Sequence, residues 1–274
     1  MTAEQTAPGT RPNRLKVVTF NTWKCDGEYA LRLEAMGQQM QALQADVYAL
    51  QECFATLDGS TDTARTLAHR LGMHLHTAPA RRKWRQFQGG WVDSFSSLAV
   101  LSRGPIQSGE ALELPSSVAD GGRGAQFCSL EVAGRAVLLI NAHLSHLPRS
   151  EGGGALRADQ LRTLLGRTAE MPRHDMALVC GDFNASMDAP ELARFLEPPW
   201  GLVDAFAQAG AGPKVTYHTP EGQGLNLDQM LWVPSCSRAS VGCLEASVVL
   251  DAPARPSGTR PSDHAGVSVT FGMS

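Results

Sequence analysis

The feature that most constrains this chain is a short apolar run, residues 176–180, that stops at Gly181 and is followed by Asp182 and Asn184. The run is too short for a helix and predicts a fully buried strand. In an extended chain, residues two apart point to the same side, so we expect Asp182 and Asn184 to face one pocket. A carboxylate beside an amide suits a phosphate held by a hard cation. Asp and Asn are also ordinary turn residues after a strand, so the pair alone leaves both interpretations open.

Composition limits the classes of partner. The chain has 274 residues and a formal net charge of -3. A protein that binds long nucleic acid through its overall field is usually basic, so any nucleic-acid contact is expected to be local. No apolar stretch approaches the length of about 20 residues that a membrane span needs, so membrane insertion is not expected.

The N-terminal residues and the cysteines indicate how the chain is divided into domains and in which compartment it is found. Residues 1–14 are polar and predict a flexible N-terminal tail, and no linker divides residues 15–274, which predicts one domain. The six cysteines show no paired metal-type spacing, and Cys128 and Cys180 lie in apolar runs. They are typical of buried thiols in a reducing compartment, so we expect a cytoplasmic protein, and we expect a monomer.

Strands outnumber helices in the pattern of apolar residues. Residues 30–43, 61–71 and 155–165 predict helices, and a further helix is expected to begin near Pro190. Strands are predicted over residues 15–20, 47–50, 74–77, 97–101, 125–132, 136–140, 176–180, 227–233, 238–250 and 264–271. Residues 79–93 show no clear pattern. Helices fall between strands without strict alternation, which favours two packed, mostly antiparallel sheets with helices outside.

Polar residues recur at the ends of the predicted strands. Asn21, Glu52, His143 and the Asp182/Asn184 pair follow their strands, and the pair Asp263-His264 precedes the last one. In a sandwich with adjacent antiparallel strands these ends can converge on one rim. Asp228 lies inside an apolar strand, where a carboxylate without a partner would be costly to bury.

Three of these residues offer oxygen ligands for a metal. Glu52, with Asn21 and Asp263 nearby, suits Mg²⁺ or Mn²⁺, a cation that keeps several waters and uses one or two carboxylates. Such an ion would neutralise a phosphate oxygen and the leaving group.

The remaining residues suit phosphoester chemistry. Asp182 is expected to orient or deprotonate the attacking water, and Asn184, His143 and His264 to donate hydrogen bonds to the phosphoryl oxygens. Asp228 is expected to hold the ring of His264 and keep it charged. Each residue taken alone also has a purely structural interpretation, as a core histidine, a buried ion pair or a turn residue.

A basic cluster lies within the patternless region. Residues 81–85 combine four cations with Trp84, and such a segment can bind a phosphate backbone and stack on a base. We therefore take Trp84 and Arg85 as candidate substrate-binding residues, with a solvated loop as the alternative. Arg123, beside a Gly-rich turn, is a third candidate for a substrate phosphate.

Taken in order, these segments resemble the endonuclease/exonuclease/phosphatase superfamily of metal-dependent phosphoesterases, which includes deoxyribonucleases and sphingomyelinases. The matching segments are residues 19–23, 51–52, 98–103, 141–144, 181–185, 227–228 and 262–264. The resemblance implies a four-layer α/β sandwich, a divalent metal, phosphoester hydrolysis and the residue roles given above. Two departures stand out. Gln229 replaces a frequent aromatic and is expected to alter the pocket wall, while His143 favours the deoxyribonuclease, sphingomyelinase and deadenylase-like branches.

The sequence therefore predicts a Mg²⁺- or Mn²⁺-dependent phosphodiesterase that acts by direct attack of water, with nucleic acid as the favoured substrate. A phosphomonoester or a phospholipid head group is the second choice. A catalytically inactive binding module with the same fold is the alternative of another class, although none of the polar residues that the family pattern needs is missing.

Overall fold

The computed structural model describes residues 13–132 and 134–273. The strands are β1 Arg14–Asn21, β2 Val47–Thr56, β3 His74–Phe87, β4 Gly90–Ser102, β5 Ile106–Leu114, β6 Arg123–Val132, β7 Arg135–His143, β8 Met176–Asp182, β9 Val203–Asp204, β10 Tyr217–His218, β11 Gly224–Leu225, β12 Asp228–Trp232, β13 Val241–Val249 and β14 Gly266–Met273. The α-helices are α1 Tyr29–Leu43, α2 Thr63–Leu71, α3 Gly153–Glu170, α4 Pro190–Ala193 and α5 Ala205–Gln208, with short 3₁₀ helices at Arg149–Glu151 and Pro234–Cys236. A flexible tail is expected over residues 1–14. Residues 1–12 of it lie outside the described residues, and Arg14 already belongs to β1.

Two six-stranded sheets form the centre of the molecule. The first has the order β13-β14-β1-β2-β4-β3, and the second has the order β5-β6-β7-β8-β12-β9. β1 and β2 are parallel, as are β7 and β8, and the other neighbouring pairs in both sheets are antiparallel. The predicted pair of mostly antiparallel sheets is confirmed.

The apolar residues divide into layers. Val17, Leu139 and Val269, from both sheets, share one buried cluster between the sheets. Met36 of α1 packs with α2 on the outer face of the first sheet, and Leu161 of α3 packs on the outer face of the second. The layers therefore run helix, sheet, sheet, helix, which is the predicted four-layer α/β sandwich. The last strand, β14, alternates, because its odd-numbered residues from 267 to 271 lie in the cluster between the sheets.

The segment of residues 79–93, interpreted as patternless, is instead a long hairpin. β3 and β4 pair from His74 opposite Ser102 to Phe87 opposite Gly90. Gln88 and Gly89 at its tip have φ of 50° and 80°, the left-handed conformation that tight hairpin turns require. The pattern fails here because most side chains of the hairpin are exposed, so neither face carries an apolar row that alternation could reveal. β5 escaped prediction for the same reason.

A buried polar side chain joins the two sheets. The Nδ2 of Asn141 on β7 donates to the backbone carbonyls of Leu50 (2.9 Å) and Ala99 (3.2 Å) in the opposite sheet. Its Oδ1 accepts a hydrogen bond from Nε2 of Gln51 on β2 at 2.7 Å. Polar atoms buried this deeply are costly to leave unpaired, so these bonds favour one relative position of the sheets.

The six cysteines are free thiols, and four of them are buried. Cys128 and Cys180 have no exposed surface, as expected of small apolar core residues. Burial raises the pKa of each of these two thiols to about 12. No helix in the described part of the chain combines the length and apolarity needed to cross a membrane.

Gly181 offers a test of the fold where the parallel strands β7 and β8 meet. Its φ is +139°, and an added Cβ would lie 1.8 Å from the carbonyl oxygen of Ala142. We expect Gly181→Ala to lower the free energy of unfolding by about 2–4 kcal/mol, because strain and overpacking add. Gly166→Ala is the matched control. Gly166 lies in α3 with open space around its Cβ position, so alanine there should stabilise by about 0.5–1 kcal/mol. Urea unfolding measures both, and equal effects would contradict the interpretation.

Candidate active site

The predicted polar residues meet at one rim of the sandwich. Asn21, His143 and Asp182 are the last residues of β1, β7 and β8. Asp228 is the first residue of β12, which runs antiparallel to β8 and places Asp228 directly opposite Asp182. His264 precedes β14, which runs antiparallel to β1. Strand ends and strand beginnings therefore lie at the same edge, and the expected convergence is confirmed. Asp228 opens its strand rather than lying inside it.

Glu52 reaches the rim through a β-bulge. The prediction that the second strand stops at residue 50, with Glu52 just beyond it, is wrong, since β2 continues to Thr56. The pairing of β2 with β4 shifts register between Leu50 and Cys53, and Glu52 has a φ of 56°. A bulge inserts an extra residue that the ladder does not pair, which redirects its side chain. Here it is the carboxylate of Glu52 that lines the cleft at the rim.

The link between Asp182 and Asn184 differs from the extended geometry that we expected. β8 ends at Asp182, and Asn184 has a φ of 51°. The backbone N–H of Asn184 donates to Oδ1 of Asp182 at 2.9 Å, which closes a tight turn. Both side chains line the same cleft, as predicted, but the turn, and not the strand pleat, brings them together.

The carboxylate of Asp182 lies at the centre of the site and is 2% exposed. Its Oδ2 accepts a hydrogen bond from Nδ2 of Asn21 at 3.0 Å. The same oxygen lies 3.5 Å from Nε2 of His143 and 3.8 Å from Nε2 of His264. Burial raises the pKa of Asp182 above the usual range for a carboxyl group, although the charge of His264 opposes that shift. A carboxylate in this state is a stronger base than one in water.

His264 and Asp228 form a buried pair beside it. Nδ1 of His264 lies 2.9 Å from Oδ2 of Asp228. Burial opposes the charge on the imidazole, but Asp228 and Asp182 outweigh it and raise the pKa of His264 to about 10. His264 is therefore protonated at neutral pH, the state expected from the sequence. Oδ1 of Asp228 is buried and has no hydrogen-bond partner among the described residues, which leaves this carboxylate strongly dependent on the imidazolium.

The pKa of His143 is shifted in the opposite direction to that of His264. Burial lowers the pKa of His143 well below its usual value, and the positive charges of Arg123 and His264 add to the effect. The site thus holds one neutral and one charged histidine on either side of Asp182. Environments that push apart the pKa values of similar groups are a mark of acid–base sites.

Two groups of residues could hold a cation. Asp182, Asp228 and His264 each place a ligand atom within 4.8 Å of the others. In that group, however, the proton on His264 already compensates the carboxylates, and a protonated imidazole has no lone pair for a metal. The second group is the one expected from the sequence, with oxygen atoms of Glu52, Asn21 and Asp263, all of which line the cleft. Its all-oxygen donor set fits Mg²⁺ or Mn²⁺.

Lys24 offsets part of the negative charge of this second group. Its Nζ lies 3.1 Å from Oε2 of Glu52 and 3.5 Å from Oδ2 of Asp26. Burial opposes the charge of Lys24, but these carboxylates outweigh it and raise the pKa of Lys24. An ammonium group beside Glu52 marks this position as one that favours positive charge. The sequence analysis missed Lys24, because nothing in its spacing distinguishes it from an exposed lysine.

The site opens into a cleft of about 740 Å³. Trp84, Arg85 and Arg123, the three predicted substrate-binding residues, all line it. Gln229 does not line this cleft. Its side-chain amide donates to the backbone carbonyls of Ala185 and Asn226, and its oxygen accepts from Nζ of Lys214 at 2.7 Å. The expected change of the pocket wall is therefore wrong, since Gln229 lies behind the wall and supports the turn after Asn184.

Arg123 belongs to a small charged cluster on one wall. Its guanidinium donates to Oδ1 of the buried Asp120 at 3.0 Å, and Nδ1 of His146 lies 2.9 Å from the same oxygen. Burial opposes ionisation of Asp120, but Arg123 and His146 outweigh it and hold the pKa of Asp120 below its usual range. Asp120 therefore fixes the positions of Arg123 and His146, two cleft residues whose positive charges help to lower the pKa of His143.

Arg32 organises the backbone around the metal-ligand candidates and was also missed. Its buried guanidinium donates to the carbonyl oxygens of Thr22, Trp23, Lys24, Asp26 and Pro261, at 2.9–3.0 Å. These carbonyls belong to the segment after β1 and to the loop before β14. The hydroxyl of Ser262 adds a bond to the carbonyl of Asn21 at 2.7 Å. A helical arginine gives no sequence signal for such a role.

Comparisons with known proteins agree with this geometry. The model of the endonuclease/exonuclease/phosphatase family matches residues 18–264. Among solved structures, TDP2 of D. rerio humanized by 14 mutations is similar with a TM-score of 0.74 and 19% identity over 94% of this chain and 99% of that one. D. rerio TDP2 complexed with single strand DNA product gives a TM-score of 0.73 and 19% identity over 94% and 98% of the two chains. An endonuclease/exonuclease/phosphatase family protein from Leptotrichia buccalis gives a TM-score of 0.72 and 17% identity, over 93% of this chain and 98% of that one. A search of curated proteins found no significant match.

Arg32 provides a test of how the site is held. We expect Arg32→Ala to lower the free energy of unfolding by about 3–5 kcal/mol, because it leaves buried carbonyl oxygens without donors. Arg65→Ala is the control, since the Arg65 side chain is 80% exposed and its ion pair with Asp62 should contribute less than about 1 kcal/mol. Chemical denaturation measures both variants. A loss at Arg32 no larger than that at Arg65 would refute the bridging role.

Proposed function

Because this chain belongs to the endonuclease/exonuclease/phosphatase family, we propose that it is a Mg²⁺- or Mn²⁺-dependent phosphodiesterase. The reaction is a direct attack of water on phosphorus, without a covalent intermediate. The observation that carries the proposal is the buried carboxylate of Asp182, bordered by Asn21, His143 and His264 at the base of an open cleft.

Asp182 is the group that orients and deprotonates the water. Its Oδ1 accepts from the backbone N–H of Asn184, and its Oδ2, which lies near both histidines, can accept a hydrogen bond from the nucleophile in addition to the one from Asn21. The hydrogen bond from Asn21 to Oδ2 fixes the direction of the carboxylate. A general base works best when its pKa lies near the working pH, and the burial of Asp182 moves its pKa in that direction.

His264, His143 and Asn184 stabilise the phosphoryl oxygens, where negative charge builds in the transition state. The imidazolium of His264 is held by Asp228 and supplies a charged donor. His143 and Asn184 supply neutral donors. Nδ2 of Asn184 donates one hydrogen to the carbonyl of Leu144 at 3.1 Å, which positions the amide and leaves its second hydrogen for substrate.

Glu52, Asn21 and Asp263 would hold the divalent ion. When bound, the ion would neutralise a phosphoryl oxygen and the leaving-group oxygen. Arg32 and Ser262 hold together the two segments that carry Asn21 and Asp263.

Nucleic acid is the proposed substrate. The net charge of -3 gives no general attraction to a polyanion, yet this cleft collects Lys24, Arg81, Lys83, Arg85 and Arg123. Local cations of this kind supply phosphate contacts without a basic protein surface. A structural neighbour, D. rerio TDP2, has been solved with a single strand DNA product, which supports the same class of ligand here.

The first test is on turnover. We expect Asp182→Asn to lower kcat by about 10²–10⁴-fold while the chain stays folded, because the base is lost and the shape of the side chain is kept. His264→Ala should lower kcat by a factor in the same range. Glu34 is an exposed carboxylate on α1, so Glu34→Gln should leave kcat unchanged. The substrates are DNA and RNA in single- and double-stranded form, sphingomyelin, and nucleotide and inositol phosphates, each with and without chelator. Near-normal turnover by either variant would contradict the assigned roles.

The second test locates the metal. We expect Glu52→Gln to weaken Mn²⁺ binding at least tenfold in calorimetric titration, while His264→Asn leaves it within a few-fold, because only the first removes a proposed ligand. The opposite result would assign the ion to the group of Asp182, Asp228 and His264. A folded wild-type chain that binds neither Mg²⁺ nor Mn²⁺ would favour a binding module.

The substrate panel also separates the alternatives. Preferred cleavage of a phosphomonoester or of sphingomyelin would replace the nucleic-acid proposal while keeping the catalytic residues. The cytoplasmic location, the monomeric state and the single domain over residues 15–274 stay predictions.

A further inference from the structure

The β3–β4 hairpin carries two cations that have no acidic partner in the part of the chain that the structure describes. Arg81 and Lys83 are exposed, line the cleft, and form no ion pair with any described residue. Arg82 between them has its side chain on the opposite face of the strand and is paired with Asp93. The arrangement leaves Arg81 and Lys83 free to bind a ligand in the cleft and neutralises Arg82, which lies outside it, and this fits an anionic ligand.

Two tryptophans of the same hairpin are unusually exposed. Trp84 and Trp91 are 59% and 65% exposed, and both line the cleft. Trp84 lies opposite Asp93 and Gln86 lies opposite Trp91, so the two indoles are diagonal neighbours on one face of the hairpin. β3 is the edge strand of its sheet, so the cleft can reach both the cationic face and the indole face around that free edge.

The hairpin is continuous with the catalytic site. Arg85, next along the cationic face, donates to the hydroxyl of Ser94 at 2.8 Å and lines the same cleft as Glu52. On the other side, the guanidinium of Arg81 packs against Gly121, where an added Cβ would lie 2.8 Å from its Cζ. Gly121 belongs to the turn that leads to Arg123. A ligand on the hairpin would therefore lie beside the reacting phosphate and near Arg123.

From this placement we infer that the hairpin binds an unpaired segment of nucleic acid, with Arg81 and Lys83 on phosphates and Trp84 and Trp91 stacked on bases. The inference rests on the proposed function and narrows its substrate to strands with single-stranded character. Bases inside a duplex are already stacked on one another and offer no free face to an indole, whereas unpaired bases do. A cleft between hairpin and catalytic rim suits a strand better than a lipid surface, which would need the indoles on an open convex surface.

The test measures binding separately from cleavage. The Asp182→Asn chain, with Mg²⁺ present, is titrated into a fluorescein-labelled oligothymidylate, and anisotropy gives Kd. In that background, Trp84→Ala and Trp91→Ala should each raise Kd by about 5- to 100-fold, the range expected for loss of one stacked base. Trp84→Phe should recover most of the loss, because an aromatic face remains. Quenching of tryptophan fluorescence on binding should fall in each of these variants.

Charge and strand state give independent readouts. Arg81→Ala with Lys83→Ala should reduce the slope of log Kd against log salt by about 1.4, the value for two phosphate contacts on a single strand. Arg65→Ala on α2 is the control and should leave Kd and slope unchanged. A fully paired duplex of matching length should bind more weakly and should not respond to Trp84→Ala.

The outcomes distinguish this inference from the proposed function. Unchanged oligothymidylate binding in both tryptophan variants, or equal weakening with duplex, would overturn the inference even if Asp182 proves catalytic. Tighter binding to vesicles of phosphatidylserine and phosphatidylcholine than to the oligonucleotide would also overturn it. Loss of binding in the tryptophan variants of a chain that cleaves no phosphoester would remove the proposed function alone. In the wild-type background, Trp84→Ala should raise KM for oligonucleotides by a larger factor than it lowers kcat, because the stacked base lies away from the reacting phosphate.

Discussion

The hydrogen bonds of Asn141 across the sandwich are the constraint on which the site depends. Two sheets packed through apolar side chains alone could slide relative to each other at small cost, because such contacts have little direction. The amide of Asn141 bonds to Leu50, Ala99 and Gln51 in the opposite sheet, and these bonds are lost if the sheets shift. Since the residues of the candidate site come from both sheets, the distances between them depend on the relative position of the sheets.

Within this fixed arrangement, electrostatics distinguishes the two histidines of the candidate site. The carboxylate of Asp182 lies next to side chains from both sheets, Asn21 from the first sheet and His143 from the second, to which Asp182 itself belongs. Two histidines at similar distances from one carboxylate would be equivalent in water. Here Asp228 keeps His264 charged, while burial and neighbouring cations keep His143 neutral. Position relative to buried charges, and not residue type, separates their roles.

The sequence predicted those parts of the molecule that leave a periodic or terminal signal. Buried strands such as β8 show an apolar run, and polar residues at strand ends revealed the rim, because the edge of a buried sheet is where polar side chains can reach solvent. The hairpin of β3 and β4 left no such signal, since its side chains are largely exposed. Arg32 and Lys24 were also missed. Their roles arise from backbone carbonyls and carboxylates that are distant in sequence and meet only in the folded chain.

The bulge at Glu52 has a consequence for how proteins of this architecture can diverge. Deleting one residue there would restore regular pairing of β2 with β4, but it would also turn the carboxylate to the other side of the sheet. Residues near the tip of the β3–β4 hairpin, by contrast, can be added or removed in pairs without changing which side chains face the cleft. Natural variation can therefore lengthen or shorten the hairpin, or change its side chains, while the spacing of the residues in the candidate site stays unchanged.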